Sequence, residues 1–179
     1  PNTYVVAKAT KNAGVTMALS GLGGDELFAG YTTFKRITSA ESKRWMESVP
    51  KIFRRAVGNS IKAIKKDSSS EKIAALLESD TFDFEYTYPL LRQTLFPGTI
   101  SKLLNHTISH KHSVKNSAKE ISGKITKKDF LITKISIAEI NTYLQNVLLR
   151  DTDQMSMAHA LEVRVPFLDY ELVEYILNL

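Results

Sequence analysis

Cysteine is absent from the 179-residue sequence, which excludes a disulfide framework and thiolate metal sites. No stretch approaches the roughly 20 consecutive apolar residues that a membrane span needs, and the first residues lack the charged and apolar regions of a signal peptide. Apolar residues still make up 43% of the chain, which is enough for a hydrophobic core. We therefore expect a soluble, cytoplasmic protein without a membrane partner.

Acidic residues are outnumbered, and the formal net charge is +5. One basic run contains Lys51, Arg54, Arg55, Lys62, Lys65 and Lys66, and a second extends from Lys111 to Lys134. Such runs can attract phosphate or nucleic acid. Because no aromatic interleaving or nucleic-acid motif accompanies them, we interpret both as solvated helix faces and do not expect a nucleic-acid partner.

A short apolar run at residues 15–19 precedes a glycine-rich turn and predicts a strand buried on both faces, as in a parallel sheet. Residues 4–9 suit a helix that ends at Gly14 in the left-handed conformation. This strand is the one strand that the pattern indicates. Its partners are expected from residues outside the sequence, and an unpaired strand edge leaves oligomerisation open.

Helical periodicity dominates the rest of the chain. It predicts helices over residues 34–46, 52–64 and 73–77, with breaks at Pro50, residues 67–70, Pro89 and residues 97–98. Residues 99–128 are rich in Ser and Lys and predict a mobile loop or insertion. The sequence thus predicts an α/β fold truncated to mostly α, with one or a few parallel strands and many helices.

The last quarter of the chain shows the strongest helical pattern. Apolar residues recur there at spacings of three and four, which predicts one face of a helix that runs to Met157: Ile137, Ile140, Leu144, Val147 and Leu148. Pro166 breaks the pattern, and Asp169 is expected to cap a final helix. The chain has no initiator Met, and its final helix has no stop signal, so we expect a fragment of a longer protein.

Residues 19–31 read L-S-G-L-G-G-D-E-L-F-A-G-Y and place glycines where a strand turns into a helix. Glycine lets the backbone turn sharply and approach a ligand closely. The first N–H groups of the helix, its dipole and the Ser20 hydroxyl would favour phosphate. The segment is neither a Walker loop nor a full dinucleotide fingerprint.

Asp25 and Glu26 follow the glycines, and bare carboxylates repel phosphate. A bridging Mg²⁺ resolves this conflict, because it accepts one or two carboxylates together with phosphate oxygens. The alternative is that the acids cap the helix and that the glycines only form a tight turn. The residues alone leave both interpretations open.

The segment S-G-L-G-G-D-E-L-F-A-G-Y resembles a signature of the asparagine synthetase family, and a second block agrees with it. That block spans residues 150–169 and includes M-S-M-A-H-A followed by L-E-V-R-V-P-F-L-D. The resemblance implies part of a C-terminal synthetase domain with an ATP-pyrophosphatase-like fold over residues 1–179. Family members adenylate a carboxylate, release pyrophosphate and pass the acyl-adenylate to ammonia, which a glutaminase domain produces from glutamine.

Carried onto matching positions, the resemblance implies that Ser20, Gly21, Gly23 and Gly24 bind ATP and that Asp25 holds Mg²⁺. Asp25 and Glu26 are the candidate catalytic residues, with Glu26 supporting the corner or the metal. In the family an acid commonly stands where this chain has Leu22. Because leucine cannot exchange a proton, this position favours a family relative that acts on a carboxylic acid other than aspartate. Aspartate stays the alternative substrate if a neighbouring group replaces the missing acid.

The nucleotide-binding S-G-G-x-D-S loop of the family does not occur in these residues, nor does its lysine-bearing segment beyond the final helix. We therefore expect the 179-residue chain alone to have no ligase activity, because transition-state charge would lack preorganised stabilisation. A non-catalytic helical interaction module is the alternative. A basic surface that binds nucleic acid is a third possibility.

The second block also carries six charges: Arg150, Asp151, Asp153, Glu162, Arg164 and Asp169. They predict a partly buried ion-pair network, with Glu162 and Arg164 as the first pair, more strongly than they predict a substrate site. The residues Met155, Met157 and His159 fit core packing better than metal binding. The loop histidines His106, His110 and His112 lack an acid at ligand spacing, so a zinc site is not expected there.

Overall fold

The structure is a computed structural model that describes residues 2–65, 67–105 and 130–179. The chain divides into two compact units. The sheet unit comprises Pro1–Tyr31 and Lys128–Leu179, and the helical unit comprises Thr32–Lys127. The predicted histidine positions His106, His110 and His112 lie outside the described residues, as do Lys66 and most of the second basic run.

Helices account for most of the described chain. The elements in chain order are α1 (Asn2–Asn12), β1 (Met17–Leu19), α2 (Gly24–Leu27), α3 (Thr32–Glu41), a 3-10 helix (Arg44–Ser48), α4 (Lys51–Ile64), α5 (Ser68–Glu78), α6 (Phe84–Arg92), α7 (Pro97–Leu104), α8 (Leu131–Glu139), a π-helix (Ile140–Leu148), α9 (Leu149–Met157), β2 (Glu162–Arg164), a 3-10 helix (Pro166–Leu168) and α10 (Tyr170–Leu177). A mostly helical chain with parallel strands agrees with the predicted truncated α/β class.

The two strands of the sheet unit pair in parallel, with Met17 opposite Glu162 and Leu19 opposite Arg164. The predicted first strand is confirmed, but the expectation that its partners lie outside the sequence is wrong for β2. The predicted burial of β1 on both faces is also wrong. Met17 is 42% exposed and Leu19 is 70% exposed. The reason is that, within the described residues, β2 is its single neighbour and no layer covers both faces of the pair.

Helix α1 ends as predicted, with Gly14 at a φ of +84°. The predicted helix up to Met157 is present, but residues 140–148 wind as a π-helix. Leu144 is buried as expected, whereas Val147 is 49% exposed. The wider π winding displaces the apolar face from the register that a regular α-helix would have.

Three breaks predicted in the helical unit are wrong in whole or in part. Of the predicted break at residues 67–70, all but Asp67 belong to α5. Pro89 lies inside α6, where burial of the flanking Tyr88 and Leu90 outweighs the local cost of proline. Pro97 begins α7, a position that suits proline because the first N–H of a helix has no partner there. Residues 99–104 of the predicted loop are therefore helical, and most of the remaining predicted loop lies outside the described residues.

The predicted helix over residues 34–46 is replaced by α3 and the 3-10 helix, whereas the prediction for residues 52–64 is confirmed by α4. Helix α4 packs closely on α5, since a Cβ at Gly58 would lie 3.3 Å from the Ala74 Cα. Asp67 caps α5 by accepting a hydrogen bond from the Ser70 backbone N–H.

Arg54 lies within α4 and corrects part of the charge analysis, because it is only 5% exposed instead of solvated. Its guanidinium donates to the carbonyls of Val49, Leu77 and Ser79 at 3.0, 3.3 and 2.9 Å. The same group lies 5.7 Å from the centre of the Phe82 ring. This cation therefore fastens the start of α4 to the end of α5.

Candidate functional site

The two sequence blocks converge because β1 and β2 pair. The Ser20 N–H donates to the Arg164 carbonyl at 2.8 Å, which extends the pairing beyond β1. At the other end the Glu162 N–H donates to the Thr16 carbonyl at 3.1 Å. The glycine-rich corner after β1 and the Val-Pro-Phe-Leu turn after β2 consequently leave the same edge of the strand pair.

Two of the corner glycines lie against side chains from that turn. Gly23 is buried with a φ of +94°, and a Cβ there would overlap the Leu168 side chain. A Cβ at Gly24 would lie 3.5 Å from the Phe167 ring. The overlap gives Gly23 a packing role, which its proposed role in binding ATP does not require. The distance at Gly24 is an ordinary van der Waals contact that would accommodate a Cβ.

Gly21 is different, because a Cβ there would meet no atom within 4 Å. Its carbonyl accepts from the Gly24 N–H at 3.2 Å, which closes the turn. The Ser20 hydroxyl oxygen accepts from the Leu22 N–H at 3.4 Å. Ser20 and Gly21 therefore form the open side of the corner, where a ligand has access to the backbone.

Asp25 stands in the single turn of α2, and its side chain is exposed. Its carboxylate lies against Gly30, where an added Cβ would overlap it. The Gly30 N–H donates to the Asp25 carbonyl at 2.9 Å. Because α2 has only four residues, the dipole that the sequence suggested for phosphate binding is much smaller than that of a long helix.

Glu26 points the other way and is only 1% exposed. Its carboxylate accepts a hydrogen bond from the Tyr31 hydroxyl at 2.9 Å. Burial, and then the hydrogen bond to Glu26, raise the pKa of Tyr31 well above its ordinary value. The Tyr31 ring meets the Tyr143 ring of the π-helix edge to face, with 6.2 Å between the centroids.

Each of the two blocks contains an alanine with a positive φ. Ala29 has a φ of 57° and Ala160 has a φ of 50°. Non-glycine residues in this region are uncommon and persist where the surrounding structure holds them. The corner and the turn that leads into β2 are thus both built with local backbone strain.

The charges of the second block do not form the predicted partly buried network. Arg164 and Glu162 do pair at 2.7 Å, but their side chains are 62% and 57% exposed. Asp169 caps α10 as predicted, accepting from the Glu171 N–H at 3.1 Å and the Leu172 N–H at 3.3 Å. Asp151 accepts from the Thr3 hydroxyl at 2.6 Å. Glu162, Arg164 and Asp169 are exposed and serve local structure. Asp151 is half-buried, and its hydrogen bond joins α9 to α1.

No group of three or more His, Asp or Glu side chains that could hold a metal occurs in residues 2–65, 67–105 and 130–179. His159 lies against Tyr4, with 4.3 Å between the ring centroids. Its buried Nε2 has no hydrogen-bond partner within the described part of the chain. A Mg²⁺ ion at the corner would therefore have Asp25 as its exposed carboxylate and would need oxygens from a bound ligand.

Sequence reasoning missed two contributors to the site, Tyr31 and the strand β2. The alternation of apolar and charged residues in L-E-V-R-V is a period-two signal that would have found the strand. The contact between Tyr31 and Glu26 has no comparable local signal, because it depends on how the chain turns after α2.

Among the described residues, no helix has the length and apolar character needed to cross a membrane.

Comparison with known proteins gives a consistent result. A family model described as asparagine synthase matches residues 1–179. The chain is 31% identical over 170 residues to asparagine synthetase [glutamine-hydrolyzing] 1 of Bacillus subtilis, covering 93% of this chain and 25% of that protein. No solved structure matches the chain significantly.

Putative asparagine synthetases [glutamine-hydrolyzing] of Mycobacterium bovis and Mycobacterium tuberculosis are 27% identical over 174 residues. These matches cover 96% of this chain and 25% of each relative. The chain therefore spans about a quarter of the length of the curated relatives that it matches.

Proposed function

The chain belongs to the asparagine synthase family, and we propose that it supplies one wall of the ATP site in an amide-forming ligase of the ATP-pyrophosphatase-like fold. In this proposal it is part of a synthetase domain that also needs a nucleotide-binding loop from elsewhere in the protein. The chain by itself is then inactive. The ligase acts in the cytoplasm, and its nitrogen comes as ammonia from glutamine hydrolysis, as the names of the relatives suggest.

The observation that carries the proposal is the exposed corner between β1 and α2. Ser20 and Gly21 leave its open side accessible, and Asp25 presents a carboxylate one turn later. Backbone N–H groups and a hydroxyl suit phosphate oxygens, and a carboxylate suits Mg²⁺ bound to those oxygens. The residues present therefore fit a magnesium–pyrophosphate moiety.

Within this proposal the residues have distinct roles. Ser20 and Gly21 contact the phosphates, and Asp25 would hold Mg²⁺, whose positive charge would stabilise the departing pyrophosphate. Glu26 is a positioning residue, since its buried carboxylate is bound to Tyr31 instead of facing the ligand. Gly23 leaves room for the Leu168 side chain, which keeps the corner in place, and Gly24 lies beside the Phe167 ring. Bound ATP would supply the adenylyl group that activates the carboxylate.

Leu22 bears on the substrate, which we propose to be aspartate or a related carboxylic acid. The side chain is half-buried at the centre of the corner and carries no proton to exchange. Leu22→Glu is expected to raise asparagine formation from aspartate if a missing acid limits that reaction. Leu22→Gln is the control, because glutamine matches the size of glutamate but has no carboxylate. Equal rates for both variants would exclude an acid function at this position.

The role of Asp25 is tested in the complete product of the gene that carries this chain. AMP and pyrophosphate release are measured with Mg²⁺, ATP, glutamine and a panel of carboxylic acids. Asp25→Asn should lower turnover by at least about a hundredfold, the usual effect of removing a group that stabilises transition-state charge. Asp80→Asn, an exposed aspartate of the helical unit, should leave turnover unchanged. Equal effects of both substitutions would contradict the proposal.

A further inference from the structure

The helical unit contains a cavity of about 670 Å³ between α3, α4 and α5. Its walls are largely apolar and include Met46, Ile61, Leu76 and Phe82. Its size is within the range of about 300–1,000 Å³ that is typical of small-molecule pockets. Nothing in the proposed ATP site uses this cavity, because all of its lining residues belong to the helical unit.

Four cationic side chains line the same cavity, and none of its described lining residues is acidic: Lys35, Arg36, Lys43 and Lys72. None of the four forms an ion pair with a carboxylate of the described residues. Two acids of the helical unit, Glu41 and Asp83, are engaged by another cation. Arg44 lies 2.9 Å from Glu41 and 2.6 Å from Asp83. The cavity therefore carries a net positive charge that the described chain does not neutralise.

Lys72 is the cation held most firmly at the wall. It is half-buried, and its ammonium donates to the Leu91 carbonyl at 2.6 Å. Desolvation, followed by repulsion from Arg36 and Arg92, lowers the pKa of Lys72. An anion beside Lys72 and Arg36 would offset both effects, since it would replace lost hydration and screen the repulsion.

We propose that this cavity binds an anionic amphiphile, a small molecule whose apolar body fills the cavity and whose anionic head group contacts Lys72 and Arg36. The apolar walls bind the body by excluding water. The uncompensated cations select an anionic head over a neutral one. A compact ligand suits these observations better than an acidic peptide helix, because the cavity has the volume of a small-molecule site.

The chain offers a built-in reporter for this site. Trp45 is its single tryptophan, is 67% exposed, and lies in sequence between the lining residues Lys43 and Met46. Bromine quenches tryptophan fluorescence only at short range. Titration of the full chain with 12-bromododecanoate should quench Trp45 saturably, whereas dodecanoate should compete and remove the quenching. Dodecyl phosphate should compete as well, and neutral 1-dodecanol should compete at least about tenfold less effectively.

Variants locate the contacts. Lys72→Met and Arg36→Gln should each weaken binding of 12-bromododecanoate by about tenfold, the effect of one charge-assisted contact. Ile73→Trp places a bulky ring at a 48% exposed wall position and should block dodecanoate binding measured by calorimetry. Lys62→Met is the matched control, because Lys62 lies on α4 but does not line the cavity, and it should leave binding unchanged.

Three results would overturn the proposal. The first is equal binding of dodecanoate and 1-dodecanol, which would show an apolar surface without anion selection. The second is an equal loss of binding in Lys72→Met and Lys62→Met, which would show general attraction to a basic protein. The third is an absence of binding by either anionic probe while an acidic amphipathic peptide binds at the same variants.

Discussion

The hydrogen bond between Tyr31 and Glu26 is expected to stabilise the corner by about 2 kcal/mol. Glu26 is 1% exposed, and among the described residues Tyr31 is the one hydrogen-bond donor to its carboxylate, at 2.9 Å. A hydrogen bond to a charged group contributes about 1.5–3 kcal/mol, and a buried partner left alone costs a similar amount. Tyr31→Phe should therefore destabilise the corner more than the loss of one hydroxyl would suggest.

A double-mutant cycle isolates the coupling free energy between Tyr31 and Glu26, because Tyr31 has further interactions that a single substitution would also disturb. The cycle uses Tyr31→Phe, Glu26→Leu and the double variant. The assay is native-state amide hydrogen exchange at Leu27 and Phe28. Their N–H groups donate to the carbonyls of Gly23 and Gly24 at 3.0 and 2.9 Å, respectively. These amides report local opening of the corner instead of global unfolding.

The matched control is a second tyrosine–glutamate hydrogen bond in the same unit. The Tyr170 hydroxyl donates to Glu171 at 3.1 Å, but Tyr170 is 73% exposed. Water can replace this contact, so its coupling free energy should be below about 0.5 kcal/mol. A coupling for Tyr31 and Glu26 as small as the control would refute the claim that Glu26 fixes the corner.

Three further predictions follow from the described contacts. Arg54→Met should lower the free energy of unfolding by about 3 kcal/mol, because three carbonyls lose a charged donor. Arg55→Met is the control and should lower it by less than about 0.5 kcal/mol. Denaturant melts of the full chain compare the two variants. Gly23→Ala should destabilise the chain by about 2 kcal/mol, because the new Cβ would overlap Leu168 and strain the backbone at a positive φ. Gly21→Ala should destabilise it by less than about 0.5 kcal/mol in the same melts. Equal effects would contradict the packing role of Gly23. Folding raises the pKa of Tyr31, so the Tyr31 hydroxyl contributes its full share of the folding free energy below the ordinary pKa of 10.0 and less at higher pH. The difference in stability between wild type and Tyr31→Phe should therefore shrink in alkaline melts.

The elements that local sequence dictates were predictable. The glycine-rich corner, the stop at Gly14 and the cap at Asp169 follow from residue types that favour one backbone geometry or one hydrogen bond. The residues with access to ligand could be proposed from the corner as well. Asp25 and Gly21 are exposed there, although their roles remain predictions.

Other features depend on contacts between distant segments. Glu26 and Asp25 are adjacent in sequence, yet one is buried against Tyr31 and the other faces solvent, a distinction set by how α2 packs. Pro89 reads as a helix breaker until the burial of its neighbours is known. Arg54 reads as a surface charge until the carbonyls at the end of α5 surround it. In each case tertiary packing overrides a correct local preference.

The adenylation chemistry itself can be followed by oxygen transfer. The complete gene product is supplied with Mg²⁺, ATP, glutamine and the most active carboxylic acid of the panel, labelled with ¹⁸O in its carboxylate. Attack of that carboxylate on the α-phosphorus, followed by amide formation, leaves one labelled oxygen in AMP. We expect wild type to form AMP that carries a single ¹⁸O, and we expect Asp25→Asn to lose the formation of this labelled AMP. Label in inorganic phosphate together with ADP would contradict an acyl-adenylate and with it the proposed function of the corner.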